Sequence, residues 1–154
     1  MSKYMLSEDT KKIIVDGDNL TLHRIIATRN FSDVTIGDRG GWVESGRNLS
    51  QEGDAWIYDD SAVFSAAAVS GDAVVMLDSI VSGHAIITDR TIISRGSKVS
   101  GSVSISGDSL ITDYAVITGN LDIKGSLLMG PREMSGSGYI KDVTMRTVLK
   151  FEEE

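Results

Sequence analysis

The 154-residue chain is 41% hydrophobic but only 6% aromatic, with sixteen glycines and one proline; that composition suits one domain with an aliphatic core and excludes a disordered chain. A net charge of −7 and the lack of any cysteine exclude a broad phosphate-binding surface, disulfides, thiolate chemistry and cysteine-ligated zinc. The polar first ten residues and the absence of a bilayer-length apolar run lead to the expectation of a cytoplasmic protein with neither nucleic-acid nor membrane partners.

Residues 1–50 read as a hairpin and a capping segment. Lys11 to Val15 and Leu20 to Ala27 are predicted strands, and Asp16-Gly17-Asp18-Asn19 supplies the turn between them. Phe31 to Ser50 leads onward into the repeats.

Residues 51–129 are a hexad repeat. Every sixth residue from Ile57 is aliphatic or methionine, through Val63, Val69, Val75, Val81, Ile87, Ile93, Val99, Ile105, Ile111, Ile117 and Ile123 to Met129. Two residues earlier stands a mostly small residue, such as Ala55, Ser61, Ala67 or Ala73, preceded by turn-formers such as Gly53-Asp54 and Gly71-Asp72. Side chains two apart on a strand point the same way, so the small and the large residue both face inward. The remaining residues turn a corner. Three hexads then close one coil, and residue i stacks on residue i+18. An amphipathic helix cannot hold this period, because its apolar repeat is 3.6. The sequence therefore predicts an all-β, single-stranded, left-handed parallel β-helix with an N-terminal hairpin as its cap; an open solenoid end would expose core and unpaired backbone.

Residues 130–154 break the phase at Gly130-Pro131. Tyr139, Met145 and Phe151 are again six apart, with Ser137, Val143 and Leu149 two residues before each. The expectation is a short loop, one more coil and an acidic tail, with a strand outside the helix as the alternative.

The stretches Gly40-Gly41-Trp42-Val43-Glu44-Ser45 and Asn48-Leu49-Ser50-Gln51-Glu52-Gly53-Asp54-Ala55-Trp56-Ile57 resemble a family of small hexapeptide-repeat proteins of phages, prophages and bacteria. The resemblance covers Leu20 to about Met129. Members are often described as acyltransferases because their repeats are similar to those of the trimeric left-handed β-helix acyltransferases. It implies the fold more than an activity.

Acyltransferases of that type use a histidine base to deprotonate the acceptor. The chain has two histidines. His23 falls in the hairpin, and His84 falls at a coil corner whose counterparts are Asp54, Asp60, Asp72, Asp78, Arg90 and Asp108. His84 is thus a weak catalytic candidate, since any polar residue suits a corner. No cofactor and no metal are expected: Asp72, Arg90 and Asp108 form a charge ladder down one corner, and that needs no cation.

The outward positions carry more information. The wall starting at Trp56 presents Trp56, Tyr58, Val74, Met76, Ile92, Leu110 and Leu128; the other two walls are mixed and mostly polar. Contiguous apolar area marks a covered or interacting surface. These residues are the candidate interface, for a homotrimer by resemblance or a dimer by commonness of symmetry, unless the chain's own termini cover them. The favoured function is a non-enzymatic binding or assembly module of phage or mobile-element type. An acyltransferase using acyl-CoA and an inhibitor that binds a host defence protein are the alternatives.

Overall fold

The computed structural model describes residues 2–145. β1 (Tyr4–Val15) and β2 (Asp18–Ala27) form an antiparallel hairpin closed at Asp16-Gly17, both in the left-handed region. β2 continues antiparallel onto β3 (Arg39–Val43), and β3 runs parallel to Ala62–Val63, the first strand of one wall. A 3₁₀ turn at Gly46–Asn48 then leads into the coils.

From Trp56 the chain winds as a three-sided parallel β-solenoid of short strands, most of them two or three residues long. Trp56–Ile57, Val74–Val75, Ile92–Ile93, Leu110–Thr112, Leu127–Met129 and Thr144–Met145 stack as the first wall. The second wall carries β3 and the hairpin at its top, above Ala62–Val63, Ile80–Val81, Lys98–Val99, Ala115–Ile117 and Arg132–Met134. The third runs from Ala68–Val69 to Ser137–Lys141. Pairing is at i+18, as in Val74 with Ile92 and Ile92 with Leu110. The inward aliphatic positions from Ile57 to Ile123 are buried to within 1% of complete, and the small positions Ala55, Ser61, Ala67, Ala73, Ser79 and Ala85 are fully enclosed. Small beside large lets three walls meet on a narrow axis at interior packing density. No described helix is long and apolar enough to cross a membrane.

Three readings of the sequence are corrected. The phase slips one residue before Met129, because the side from Ile123 to its successor is five residues long. Leu128, not Met129, stacks on Ile111 and is 1% exposed, and Ser126, not Leu127, holds the small position. From there pairing is at i+17, as in Ala115 with Arg132. Gly125, at φ +61, turns the shortened corner, and the Ser126 amide donates to Ser109 Oγ. Gly130-Pro131 is then an ordinary corner rather than a loop, since Arg132–Met134 stands on Ala115–Ile117. One more coil follows, but in a different register. Ile140 stacks on Ile123, while Tyr139 points outward and is 59% exposed. Met145 does face inward, on Leu128. The expected inward Phe151 lies outside the described residues.

Candidate functional site

The opening motif builds the top of the solenoid. Gly40 and Gly41 have no room for a side chain: a Cβ on Gly41 would lie 2.3 Å from the Ser61 carbonyl oxygen, and one on Gly40 2.7 Å from that of Ile57. The Arg24 guanidinium stands 4.3 Å and the Lys11 ammonium 4.6 Å from the centre of the Trp42 ring, both favourable over an indole face. Asn48 is fully buried. Its Oδ1 accepts from the Glu44 and Ser45 amides at 3.0 Å each, and its Nδ2 donates to the Ser65 and Ala67 carbonyls. Gln51 pairs like a strand residue, accepting from the Lys3 and Tyr4 amides and donating to the Tyr4 carbonyl. The motif therefore closes the top of the solenoid.

Two further residues, which periodicity could not flag, seal the core. The Lys3 ammonium donates to the Ala55 carbonyl at 2.7 Å and to that of Gly53 at 3.4 Å. Burial, reinforced by Arg29, lowers its pKa to about 8, against the opposing pull of Asp54 and Asp72. The Tyr4 hydroxyl donates to the Leu49 and Gly46 carbonyls, and burial raises its pKa to about 12.

The candidate interface residues separate into three groups. Trp56 is 1% exposed, with the Tyr4 and Phe31 rings edge-on against it at 6.3 and 5.2 Å. The chain's own cap covers it. Tyr58 is half-buried and donates to Asp33 at 2.6 Å, and burial together with that carboxylate raises its pKa. Leu128 is a core residue, for the register reason given above. Val74, Met76, Ile92 and Leu110 do stand on one outer wall, and Leu127 takes the place expected of Leu128. Ile92 is the most open, at 37%.

The second wall is not free in its upper coils. The hairpin curls over it, packing Ile13, Val15, Leu20 and Leu22 against Ala62, Phe64 and Ile80 and leaving a groove of about 430 Å³ beneath. The third wall presents Ile86, Ser104, Asp122 and Tyr139.

His84 is exposed at its corner, its amide bound to the Gly101 carbonyl, and His23 is half-buried in β2 opposite Thr10 and Val43. The two histidines are on different elements. Arg90 grips Asp108 with two hydrogen bonds of 2.8 and 2.9 Å, while Asp72 accepts from the Asp54 amide. Within the ladder Arg90 is thus paired with Asp108, while Asp72 is held by a backbone amide. Among the described residues no group of three or more acidic or histidine side chains could hold a metal ion.

One corner was not foreseen. Between the first and second walls, Leu77-Asp78, Arg95-Gly96 and Asp113-Tyr114 stack, and all but Gly96 are non-glycine residues at φ between +54 and +65. Leu77 is 49% and Tyr114 67% exposed. Side chains at such φ are strained, and these two are also large, apolar and open to water.

No family model matches the chain. It is similar to a protein of Escherichia coli K12 named an uncharacterized acetyltransferase, YdcK, at 41% identity over 75 residues. The matched stretch is 46% of this chain and 23% of that protein, so the chain spans less than a quarter of that relative's length.

Proposed function

We propose that this hexapeptide-repeat β-solenoid is a non-enzymatic binding and assembly module that self-associates through its first wall. One observation carries the reading: Val74, Ile92, Leu110 and Leu127 stand in register on the outer side of the first wall with Met76 beside them, Ile92 open to 37% and the others partly exposed, whereas the hairpin packs over the apolar part of the second wall. Burying an aliphatic side chain contributes about 1.5–3 kcal/mol at most, so several together offset the entropy of association. Light scattering on the wild type and on a Val74→Lys, Ile92→Lys double variant tests it. The expected result is an oligomer that the double variant dissociates. A wild type that stays monomeric at high micromolar concentration overturns the reading.

A second reading, acetyl transfer, draws on the name of the E. coli relative. His84 is the exposed histidine from which such chemistry would start. Calorimetric titration with acetyl-CoA discriminates: micromolar binding that His84→Ala abolishes would favour the enzyme.

A further inference from the structure

We infer that the groove between the N-terminal hairpin and the second wall binds a hydrophobic amine, an organic ammonium whose apolar body lies in the groove and whose charge is held by Asp78. The site is separate from the first wall and does not depend on self-association. The groove's volume of about 430 Å³ falls in the range of small-molecule sites, which starts at about 300 Å³. The hairpin lines it with Ile13, Val15 and Leu22, and the wall with Phe64 and Ile80. Its charged groups are Lys11, Asp60 and Asp78.

The charges select the ligand. Asp60 is already bound to Arg24 at 3.0 Å. Lys11 rests against the Trp42 ring at 4.6 Å and in the field of Asp60. Asp78 differs from the other corner carboxylates. Asp108 and Asp113 each meet an arginine one coil away, Arg90 at 2.8 Å and Arg95 at 3.2 Å. The position one coil below Asp78 is Gly96, whose amide donates to the Leu77 carbonyl. Among the described residues no hydrogen bond or ion pair holds the Asp78 carboxylate. An apolar chain in the groove displaces water from aliphatic walls, and an ammonium on that chain gains a charge-assisted hydrogen bond. An acid would bring like charge to Asp78, and a neutral chain gains burial alone.

The corner itself adds two features. Asp78 also lines an adjoining depression with Leu77, Gly96 and Tyr114. A Cβ on Gly96 would lie 2.5 Å from Tyr114 Cδ1 and Cε1, so the glycine admits the Tyr114 ring to the coil below Asp78. An ammonium is attracted to an aromatic ring as well as to a carboxylate. Leu77 and Asp78 hold consecutive left-handed backbone, at φ +55 and +62. Aspartate accepts that conformation and leucine resists it, and strain of this kind clusters at ligand-binding positions.

n-Hexylammonium, n-hexanol and hexanoate carry similar chains and differ in head-group charge. Amide chemical-shift titration of the full chain compares them. n-Hexylammonium is expected to shift Ile14, Asp78 and Ile80 and to bind about tenfold more tightly than n-hexanol, with hexanoate the weakest. Asp78→Asn keeps a residue that accepts left-handed backbone. It is expected to bring the amine down to the level of the alcohol while leaving the alcohol unchanged. Equal affinity for amine and alcohol, tighter binding of hexanoate, shifts confined to another wall, or an Asp78→Asn variant that binds the amine like the wild type each overturn the inference. Lack of saturable binding by all of these probes in the millimolar range overturns it too.

Discussion

Lys3 Nζ donates to the Ala55 carbonyl across a sequence separation of 52 residues, so a cation plugs the open end of an aliphatic core. The same ammonium lies 5.3 Å from the centre of the Phe31 ring. An end carbonyl that would otherwise be buried without a partner is thereby satisfied.

Lys3 makes the stability pH-dependent. Its folded pKa is about 8 against an ordinary 10.5, so between those values the folded state has released a proton that the unfolded state still holds. Stability therefore rises with pH across that window. Tyr4 acts oppositely: with its folded pKa raised from 10.0 to about 12, the unfolded chain ionises first, and stability falls as pH climbs from 10 towards 12. Urea unfolding between pH 7 and 12 is expected to show a maximum near the point where the two trends cross. Lys3→Met is expected to remove the rising limb and keep the falling one; an identical rise in the variant would assign it to another group.

Asn48 makes four hydrogen bonds while fully buried. Asn48→Ala leaves two amides and two carbonyls short of a partner, and an unsatisfied buried group costs about 1–3 kcal/mol. A loss of about 3 kcal/mol or more in unfolding free energy is expected. Asn48→Asp keeps the acceptor but faces the Ser65 and Ala67 carbonyls with a carboxylate, so it too is expected to destabilise at neutral pH and to recover partly in acid.

Gly41→Ala places a methyl 2.3 Å from the Ser61 oxygen and 2.5 Å from Ile57 Cγ2. Backbone on one side and core on the other leave nothing flexible to yield, so a cost of about 3 kcal/mol is expected. Gly17→Ala, at φ +84 in the hairpin turn with no atom within 4 Å, carries only conformational strain, about 1 kcal/mol. Thermal melts of the two variants compare crowding with strain.

The solenoid was legible because its period is enforced at every coil: one inward aliphatic residue per hexad, with a small partner two residues before it. The slip at Leu128 was not, because Leu127, Leu128 and Met129 are three apolar residues in a row, and either register puts an apolar group inside. The same physics hid Ile140, since Tyr139 beside it kept the six-residue spacing with Met145. Alternation marked Trp56 as outward, and so it is. Its cover comes from Tyr4 and Phe31, far away in sequence and outside the repeat, so the periodicity carried no sign of it. Leu77 and Tyr114 escaped notice because corners were assigned to glycine and aspartate. Two large side chains there only stand out once the backbone angles are known.

Ile92 and Ile93 give the sharpest contrast between core and wall. They are adjacent and chemically identical, but Ile93 is fully buried and Ile92 is 37% exposed. Ile93 stacks between Val75 and Ile111, where a carboxylate would have neither water nor a counter-ion. Ile93→Asp is therefore expected to be unfolded, because an unpaired buried charge costs several kcal/mol. Ile92→Asp puts the same charge on the outer wall, where a single chain can hydrate it. Its circular dichroism is expected to match the wild type, with a melting temperature lower by no more than the lost association explains. Its light scattering is expected to report a monomer. A folded Ile93→Asp would refute the inward register. A folded Ile92→Asp that remains oligomeric would move the interface off this wall.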